Sequence, residues 1–186
     1  ALDRGVMLGF DHEGSERLAR ELRRRFPVDK FRFVNSGTEA NMFAVRLARA
    51  FTGKSKIVKT EGSYHGWSGE LHVSKRPPLG EAGPRKRPSR VPFGKGIPEG
   101  TLKDTLVAPF NDIEAMEGVL CEHAGEVAAV IVEPVMMNAG VIPPRDDYLR
   151  ELRALTEEHN VLLIFDEVKT GFKIAPGGAC ERFGVK

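Results

Sequence analysis

The chain has 186 residues, of which 41% are hydrophobic and 29% are charged, and its formal net charge is +2. This composition is that of an ordinary globular domain, and so small a charge does not indicate a nucleic-acid or membrane partner. No apolar run approaches the roughly 18–20 residues of a membrane helix, and two distant cysteines do not make a disulfide framework, so we expect a reducing, cytoplasmic location.

The first part of the chain predicts helices alternating with strands. Residues 13–25 have the pattern of an amphipathic helix, and the alternation at 31–34 predicts a strand. Residues 38–51 predict a second helix, which a glycine is placed to end. A short strand at 56–59 leads into a polar and aromatic loop at 61–67.

Residues 75–100 contain six of the twelve prolines and seven basic residues, without any helical or strand period. We expect a long loop there, and long loops are often functional or mobile. Its basic cluster at 85–87 is typical of a solvated loop, although such clusters also occur in nucleic-acid sites. A brief strand is expected at 106–108.

The second half contains two continuous apolar runs, at 127–132 and 161–165. A capping box at 111–114 predicts a helix before them, and Pro144 is expected to open another helix between them. Alternating helices and apolar strands indicate an α/β fold, with three layers (α/β/α) and a mostly parallel sheet.

Polar motifs follow three of the predicted strands. These motifs are Ser36-Gly37-Thr38, then Glu133 with Asn138 in the next loop, and Asp166. Ligands of open parallel sheets bind beyond the carboxyl ends of the strands. If the three strands are parallel neighbours, their motifs face a single cleft.

The motif Ser36-Gly37-Thr38 stands where a strand turns into a helix. The first N–H groups of a helix have no internal partners and favour an anion, so a phosphate would fit there. The alternative is an ordinary helix cap without a ligand, because Ser and Thr cap many helices.

Asp166 follows five apolar residues and is expected to be partly buried. A buried carboxylate needs a cation or strong donor, and a protonated pyridine nitrogen would serve. A carboxylate that caps the following loop is the alternative. Tyr64-His65-Gly66 could place an aromatic ring over a flat cofactor, or simply pack on the surface. No His or Cys has a second such residue at ligand spacing, so no metal site is expected.

Taken together, the motifs resemble those of the class III aminotransferases, a family of fold type I pyridoxal-phosphate enzymes, and most of all its glutamate-1-semialdehyde 2,1-aminomutase branch. The segments that carry the resemblance follow the family's order over nearly the whole chain: Phe33-Val34-Asn35-Ser36-Gly37-Thr38-Glu39-Ala40, Lys56-Ile57-Val58-Lys59, Tyr64-His65-Gly66, Pro109-Phe110-Asn111-Asp112, Val132-Glu133-Pro134-Val135, Asn138-Ala139-Gly140, Phe165-Asp166-Glu167-Val168, Thr170-Gly171-Phe172 and Gly177-Gly178-Ala179.

The resemblance implies pyridoxal 5'-phosphate as the cofactor. Its phosphate would be held by Gly37 and Thr38, with Ser36 beside them. Tyr64 would lie over one face of the pyridine ring, with His65 next to it.

The same resemblance assigns four residues to the rest of the ring. Asn138 would approach the ring hydroxyl with support from Glu133. Asp166 would pair with the pyridine nitrogen, and Val168 would pack against the second face.

The resemblance also implies an enzyme that transfers amino groups between small amino and keto substrates, as an aminotransferase or an aminomutase, and that forms a homodimer. The family's Schiff-base lysine would lie beyond Lys186, so no catalytic residue is assigned in this chain, and Lys169 is interpreted as an unrelated variation. We therefore expect residues 1–186 to be the large cofactor-binding domain, incomplete at both ends and inactive by itself.

Two other interpretations remain. Gly53-Lys54-Ser55 resembles the end of a nucleotide-binding P-loop. Residues 162–167 resemble the Walker B strand of a P-loop hydrolase. However, Ala48 stands where the loop requires its first glycine, and a strand follows where a helix is needed. The other alternative is a binding domain that keeps the fold without catalysis.

Overall fold

Four parallel strands form the centre of the molecule in the computed structural model, which describes residues 12–26 and 28–186. Their order across the sheet is β2-β1-β3-β4, and their bounds are Lys56–Thr60 (β1), Thr105–Ala108 (β2), Val127–Val132 (β3) and Leu162–Phe165 (β4). All three neighbouring pairs run parallel. The predicted α/β class with a parallel sheet is confirmed.

Helices cover both faces of this sheet. The helices of the described residues are Glu13–Arg23 (α1), Gly37–Thr52 (α2), Glu99–Leu102 (α3), Ile113–Glu122 (α4), Tyr148–Glu158 (α5) and Gly178–Phe183 (α6). One face packs against α2 through Val45 and Ala48. The other packs against α4 and α5 through residues that include Met116 and Leu152. These are the three predicted layers.

The central strand β3 shows why apolar runs become parallel strands here. All six of its residues are buried, because strands pair with it on both edges and helices cover both of its faces. A strand in that position has no solvent side, so every side chain can be apolar. The residues that follow β1, β3 and β4 consequently emerge at the same edge of the sheet.

Local sequence sets both ends of α2. Ser36 caps its start, and the carboxylate of Glu39 accepts from the N–H of Ser36 in return, which completes a capping box. Gly53 ends the helix in the left-handed conformation, with a φ of 70°. Since β1 begins at Lys56, the segment Gly53-Lys54-Ser55 leads into a strand and not into the helix that a P-loop precedes.

The predicted strand at 31–34 is wrong. These residues form no strand, although the rings of Phe31 and Phe33 stack with their centroids 6.4 Å apart. Alternation favours an extended backbone, but a strand also needs a neighbour with free hydrogen-bonding groups. Within the described part of the chain, no strand lies beside this segment.

The helix expected from Pro144 begins later, at Tyr148. Asp146 has a φ of 41°, which interrupts any right-handed helix that starts at the proline. The preceding helix, α4, also differs from its prediction. Asn111 has a φ of 62°, and the capping residue is Asp112, whose side chain accepts from the N–H of Ala115.

The segment 75–100 crosses the surface largely without regular structure. An isolated bridge joins Val73 to Pro92, and α3 begins at Glu99. Two of its basic side chains pair with α4, Lys86 with Glu114 at 2.5 Å and Arg87 with Glu122. Among the described residues, no helix has the length and apolar character needed to cross a membrane.

Candidate functional site

A cavity of about 150 Å³ opens at the carboxyl edge of the sheet. Seven of the nine residues predicted to bind a cofactor line it: Gly37, Thr38, Tyr64, Glu133, Asn138, Asp166 and Val168. The start of α2 and the carboxylate after β4 thus share one cavity, as the cleft hypothesis requires. The remaining two predicted residues, Ser36 and His65, do not line it.

The carboxylate of Asp166 accepts three hydrogen bonds where it meets this cavity. Its Oδ2 accepts from His65 Nδ1 and from Asn41 Nδ2, each at 2.8 Å. Its Oδ1 accepts from the N–H of Val168 at 3.1 Å. Only 7% of the residue is exposed. Three donors therefore fix the carboxylate where it meets the cavity.

These contacts favour the anionic form of Asp166. Burial opposes ionisation, but the hydrogen bonds from His65, Val168 and Asn41 outweigh it and hold the pKa of Asp166 below its usual value. Burial lowers the pKa of His65, against the effect of its bond to Asp166. Both lowered pKa values are consistent with a neutral imidazole that carries its proton on Nδ1 and donates it to the anionic carboxylate of Asp166.

The first turn of α2 presents unpaired backbone donors. The Oγ of Ser36 accepts from the N–H of Glu39 at 3.2 Å, and the carbonyl of Ser36 accepts from the N–H of Ala40. The N–H groups of Gly37 and Thr38 have no acceptor among the described residues. Free amides and the positive end of the helix dipole together favour an anion there. Ser36 contributes by capping the helix.

Two glycines allow close packing around the cavity. A Cβ on Gly37 would lie 2.7 Å from Cγ2 of Val168. Gly66 has a φ of 93°, and a Cβ there would lie 2.8 Å from the Cα of Thr38. Any larger residue at either position would push Val168 or Thr38 out of place. The absence of a side chain at Gly37 and Gly66 therefore lets Val168 and Thr38 occupy their positions in the cavity wall.

Glu133 connects two loops that border the cavity. Its Oε1 accepts from the N–H of Tyr64 at 2.8 Å. Its Oε2 accepts from Asn138 Nδ2 at 3.0 Å and from the N–H of Met137 at 3.2 Å. Only 3% of Glu133 is exposed, so these hydrogen bonds, and not water, hold its carboxylate in place. They orient the amide of Asn138.

The two residues of the Tyr64-His65 pair occupy different environments. The ring of Tyr64 lines the cavity and also contacts His72, with centroids 6.0 Å apart, and the ammonium of Lys75, 4.2 Å from its centre. His65 is fully buried and does not line the cavity, but it contacts two residues that do, through its ring to Asp166 and through its carbonyl to Asn41.

Asn41 and Lys169 are cavity residues that sequence reasoning missed. Asn41 lies one turn into α2, on the buried side that also carries Val45 and Ala48. A polar residue in line with an apolar helix face is a pattern that could have identified it. Lys169 donates to Asn138 Oδ1 at 3.1 Å, a contact between distant loops that sequence spacing does not indicate.

Comparison with known proteins places this chain among relatives of one kind. The family described as Aminotransferase class-III matches residues 4–186. A glutamate-1-semialdehyde 2,1-aminomutase of Ignicoccus hospitalis is 49% identical over 185 residues, which are 99% of this chain and 42% of the relative.

Solved structures agree with the sequence relatives. An omega-transaminase from Sphaerobacter thermophilus superimposes with a TM-score of 0.93 at 36% identity, covering 100% of this chain and 42% of that one. A transaminase with PLP bound superimposes with a TM-score of 0.86 at 32% identity, again covering 100% and 42%. The chain therefore spans about two fifths of the length of the proteins it matches.

Proposed function

Because the chain belongs to the class III aminotransferases, we propose that the complete protein binds pyridoxal 5'-phosphate in this cavity and transfers an amino group between small amino and keto substrates. When bound, the cofactor carries the amino group and withdraws electrons from the substrate carbon that bears it. The observation that supports the proposal best is one cavity lined both by the free amides of α2 and by the anionic Asp166.

Two parts of the cavity lining match the two charged groups of this cofactor. The N–H groups of Gly37 and Thr38, at the positive end of the helix dipole, suit a phosphate. The anionic carboxylate of Asp166 suits a ring nitrogen that holds a proton, since a buried carboxylate stabilises a cation beside it. His65 and Asn41 keep that carboxylate in place through Oδ2.

Three further lining residues are assigned to the ring of the cofactor. Tyr64 and Val168 are assigned to its two faces, and Asn138 to the ring oxygen. Glu133 orients Asn138 by accepting from its Nδ2, which leaves the second N–H of that amide available to a ligand. His65 and Ser36 are positioning residues in this assignment, because neither lines the cavity.

An aminomutase and an aminotransferase differ in whether one substrate or two pass through the site. The 49% identity with the Ignicoccus hospitalis relative, which is named as an aminomutase, favours an aminomutase with a single substrate. Supplying the complete protein with glutamate-1-semialdehyde alone should then yield the isomer whose amino group has moved from carbon 2 to carbon 1. A reaction that requires a separate amino donor would assign it as an aminotransferase instead.

We also propose that the protein is a homodimer located in the cytoplasm. In support, α2 carries a row of exposed apolar side chains, in which Leu47 and Phe51 are 70% and 77% exposed. The segment 75–100 is a second candidate for the contact. Both cysteines are free, as a reducing compartment requires. Sedimentation of the complete protein, and of a Leu47→Glu variant, tests the dimer: the variant should sediment as a monomer.

The cofactor proposal is tested by loading the complete protein with pyridoxal 5'-phosphate, treating it with borohydride and mapping the labelled peptide. We expect the cofactor to remain covalently attached to a lysine, and the labelled peptide to show the absorbance of the reduced cofactor. Absence of retained cofactor would favour a binding domain without catalysis. Nucleotide with magnesium serves as the control ligand, and thermal stabilisation by it would favour a hydrolase.

A further inference from the structure

The proposed function does not use a buried lysine that contacts the loop carrying Tyr64. Lys59, in β1, is 0% exposed. Its Nζ donates to the carbonyl of Ser63 at 3.0 Å and to the carbonyl of Val73. Both acceptors belong to the loop that leaves β1 and carries Tyr64. Lys59 therefore ties the outgoing and returning parts of that loop to the sheet.

Burying an ammonium group costs free energy unless other groups compensate for the lost water. In the described part of the chain, no carboxylate forms a salt bridge with Lys59. Glu133 and Glu61 act on it from a greater distance and favour its charged form, whereas Lys75 opposes it. Two backbone carbonyls replace the water that the buried ammonium has lost. The positions of these carbonyls and of the lysine side chain therefore depend on each other.

The peptide unit between Ser63 and Tyr64 is held from both sides. Its carbonyl accepts from Lys59, and its N–H donates to Glu133 Oε1 at 2.8 Å. A peptide unit is planar, so fixing its oxygen and its N–H fixes the orientation of the whole plane. The Cα of Tyr64 belongs to this plane. A buried base and a buried acid thus define where the Tyr64 side chain starts.

We propose that Lys59 is a positioning residue that holds the ring of Tyr64 against the cofactor. This inference rests on the proposed function, because it assumes that Tyr64 contacts the ring. Lys59 does not line the cavity and so acts only through the loop. The contact requires a long side chain with several N–H groups, because Lys59 reaches from β1 to the carbonyls of both Ser63 and Val73.

The test is a double-mutant cycle in the complete protein, with the dissociation constant of pyridoxal 5'-phosphate as the measurement. Lys59→Met keeps an unbranched side chain as far as Cε and removes the ammonium group with its donors. We expect Lys59→Met and Tyr64→Ala each to weaken binding by about three- to tenfold, the range of an aromatic contact. The double variant should bind as Tyr64→Ala does, because Lys59 has nothing left to position.

Val58→Ala is the matched control for general destabilisation. Val58 is the neighbouring residue of β1, is fully buried and packs into the cluster on the other face of the sheet. This variant should lose stability and retain its affinity for the cofactor. If Lys59→Met does not fold, Lys59→Leu, which also lacks a donor for the carbonyls of Ser63 and Val73, takes its place in the cycle.

The outcomes separate the inference from the proposed function. Unchanged affinity in Lys59→Met, or a loss that persists in full in the Tyr64→Ala background, would overturn the positioning role while the cofactor site stands. If Tyr64→Ala alone leaves the affinity unchanged, the assignment of Tyr64 to the ring is wrong and the inference falls with it. If the parent protein does not bind pyridoxal 5'-phosphate, the proposed function fails.

Discussion

Asn41 donates a hydrogen bond of 2.8 Å to Oδ2 of Asp166, from which it is separated by 125 residues in sequence. The same amide also donates to the carbonyl of His65 at 3.2 Å. One side chain of α2 therefore aligns the loop after β1 with the carboxylate after β4. Because Asn41 is buried and uses both N–H groups, its amide orientation is determined.

Replacing Asn41 by Asp is expected to disrupt the site more than the small change in size suggests. The variant places a second carboxylate beside Asp166, and two like charges at hydrogen-bond distance raise the pKa of one of them. We expect a loss of at least about tenfold in cofactor affinity at neutral pH, equivalent to about 1.4 kcal/mol. Affinity should partly return at lower pH, where one carboxyl is protonated; a pH-independent loss would contradict this explanation.

Asp166→Asn removes the anion and keeps the shape of the side chain. Hydrogen bonds to charged groups contribute about 1.5–3 kcal/mol, so we expect kcat/KM of the complete protein to fall by about 100-fold. Asp29→Asn, on a side chain that is 97% exposed, is the control and should retain full activity.

The pKa of Asp166 also determines how this variant responds to acid. Since the folded pKa lies below 3.8, the carboxylate stabilises the fold above that pH and loses this contribution as the pH falls through the folded pKa. The difference in unfolding free energy between the parent and Asp166→Asn should therefore be constant near neutral pH and shrink in acid. Urea denaturation over this range would show whether it does.

A pair of glycine substitutions can separate backbone strain from cavity packing. Gly66 and Gly96 have φ values of 93° and 88°, but a Cβ on Gly96 would meet nothing within 4 Å. Each Ala variant should lose about 1–2 kcal/mol from the left-handed backbone. Gly66→Ala should lose about 1–3 kcal/mol more, because its Cβ displaces Thr38. Equal losses in urea denaturation would show that packing against Thr38 contributes nothing.

Lys59 predicts a pH dependence of stability with a definite sign. Burial lowers its pKa from 10.5 to about 7. Between these values the unfolded chain binds more protons than the folded one, so the unfolding free energy rises with pH. The energetic cost of the buried charge is complete below pH 7 and is relieved above it, while the neutral amine retains two N–H groups for its carbonyls.

The comparison with Lys59→Met isolates this contribution. The stability of the parent, relative to the variant, should increase by about 1 kcal/mol per pH unit from about pH 7 to pH 9. Urea unfolding of both proteins across that interval measures the difference directly. A difference that does not change with pH would mean that Lys59 remains charged in the folded protein throughout the interval.

Lys169 offers a test of which lysine carries the cofactor. Its exposed ammonium contacts Asn138 Oδ1 at 3.1 Å. Exposed polar contacts contribute about 0–1 kcal/mol, so Lys169→Met should weaken cofactor binding by no more than about fivefold. Borohydride should still attach the cofactor covalently to the complete Lys169→Met protein. Loss of the attachment would show that Lys169 itself is the reactive amine.

Much of the fold could be predicted from local pattern. The apolar runs at 127–132 and 161–165 became β3 and β4, and Ser36 and Gly53 mark the ends of α2. The errors occurred where a non-local partner decides the structure, as at 31–34, or where one backbone angle interrupts a pattern, as at Asp146. Strand formation depends on a neighbouring edge, which sequence periodicity does not describe.

The sequence by itself determined which polar motifs follow the strands, and therefore which side chains could meet at one edge of the sheet. Only the tertiary structure decided that β1 lies between β2 and β3, that Asn41 reaches Asp166 and that Lys59 is buried beneath Tyr64. The reason is physical: caps and periodicity depend on residues a few positions apart, whereas burial, hydrogen-bond partners and pKa values depend on what the folded chain brings close in space.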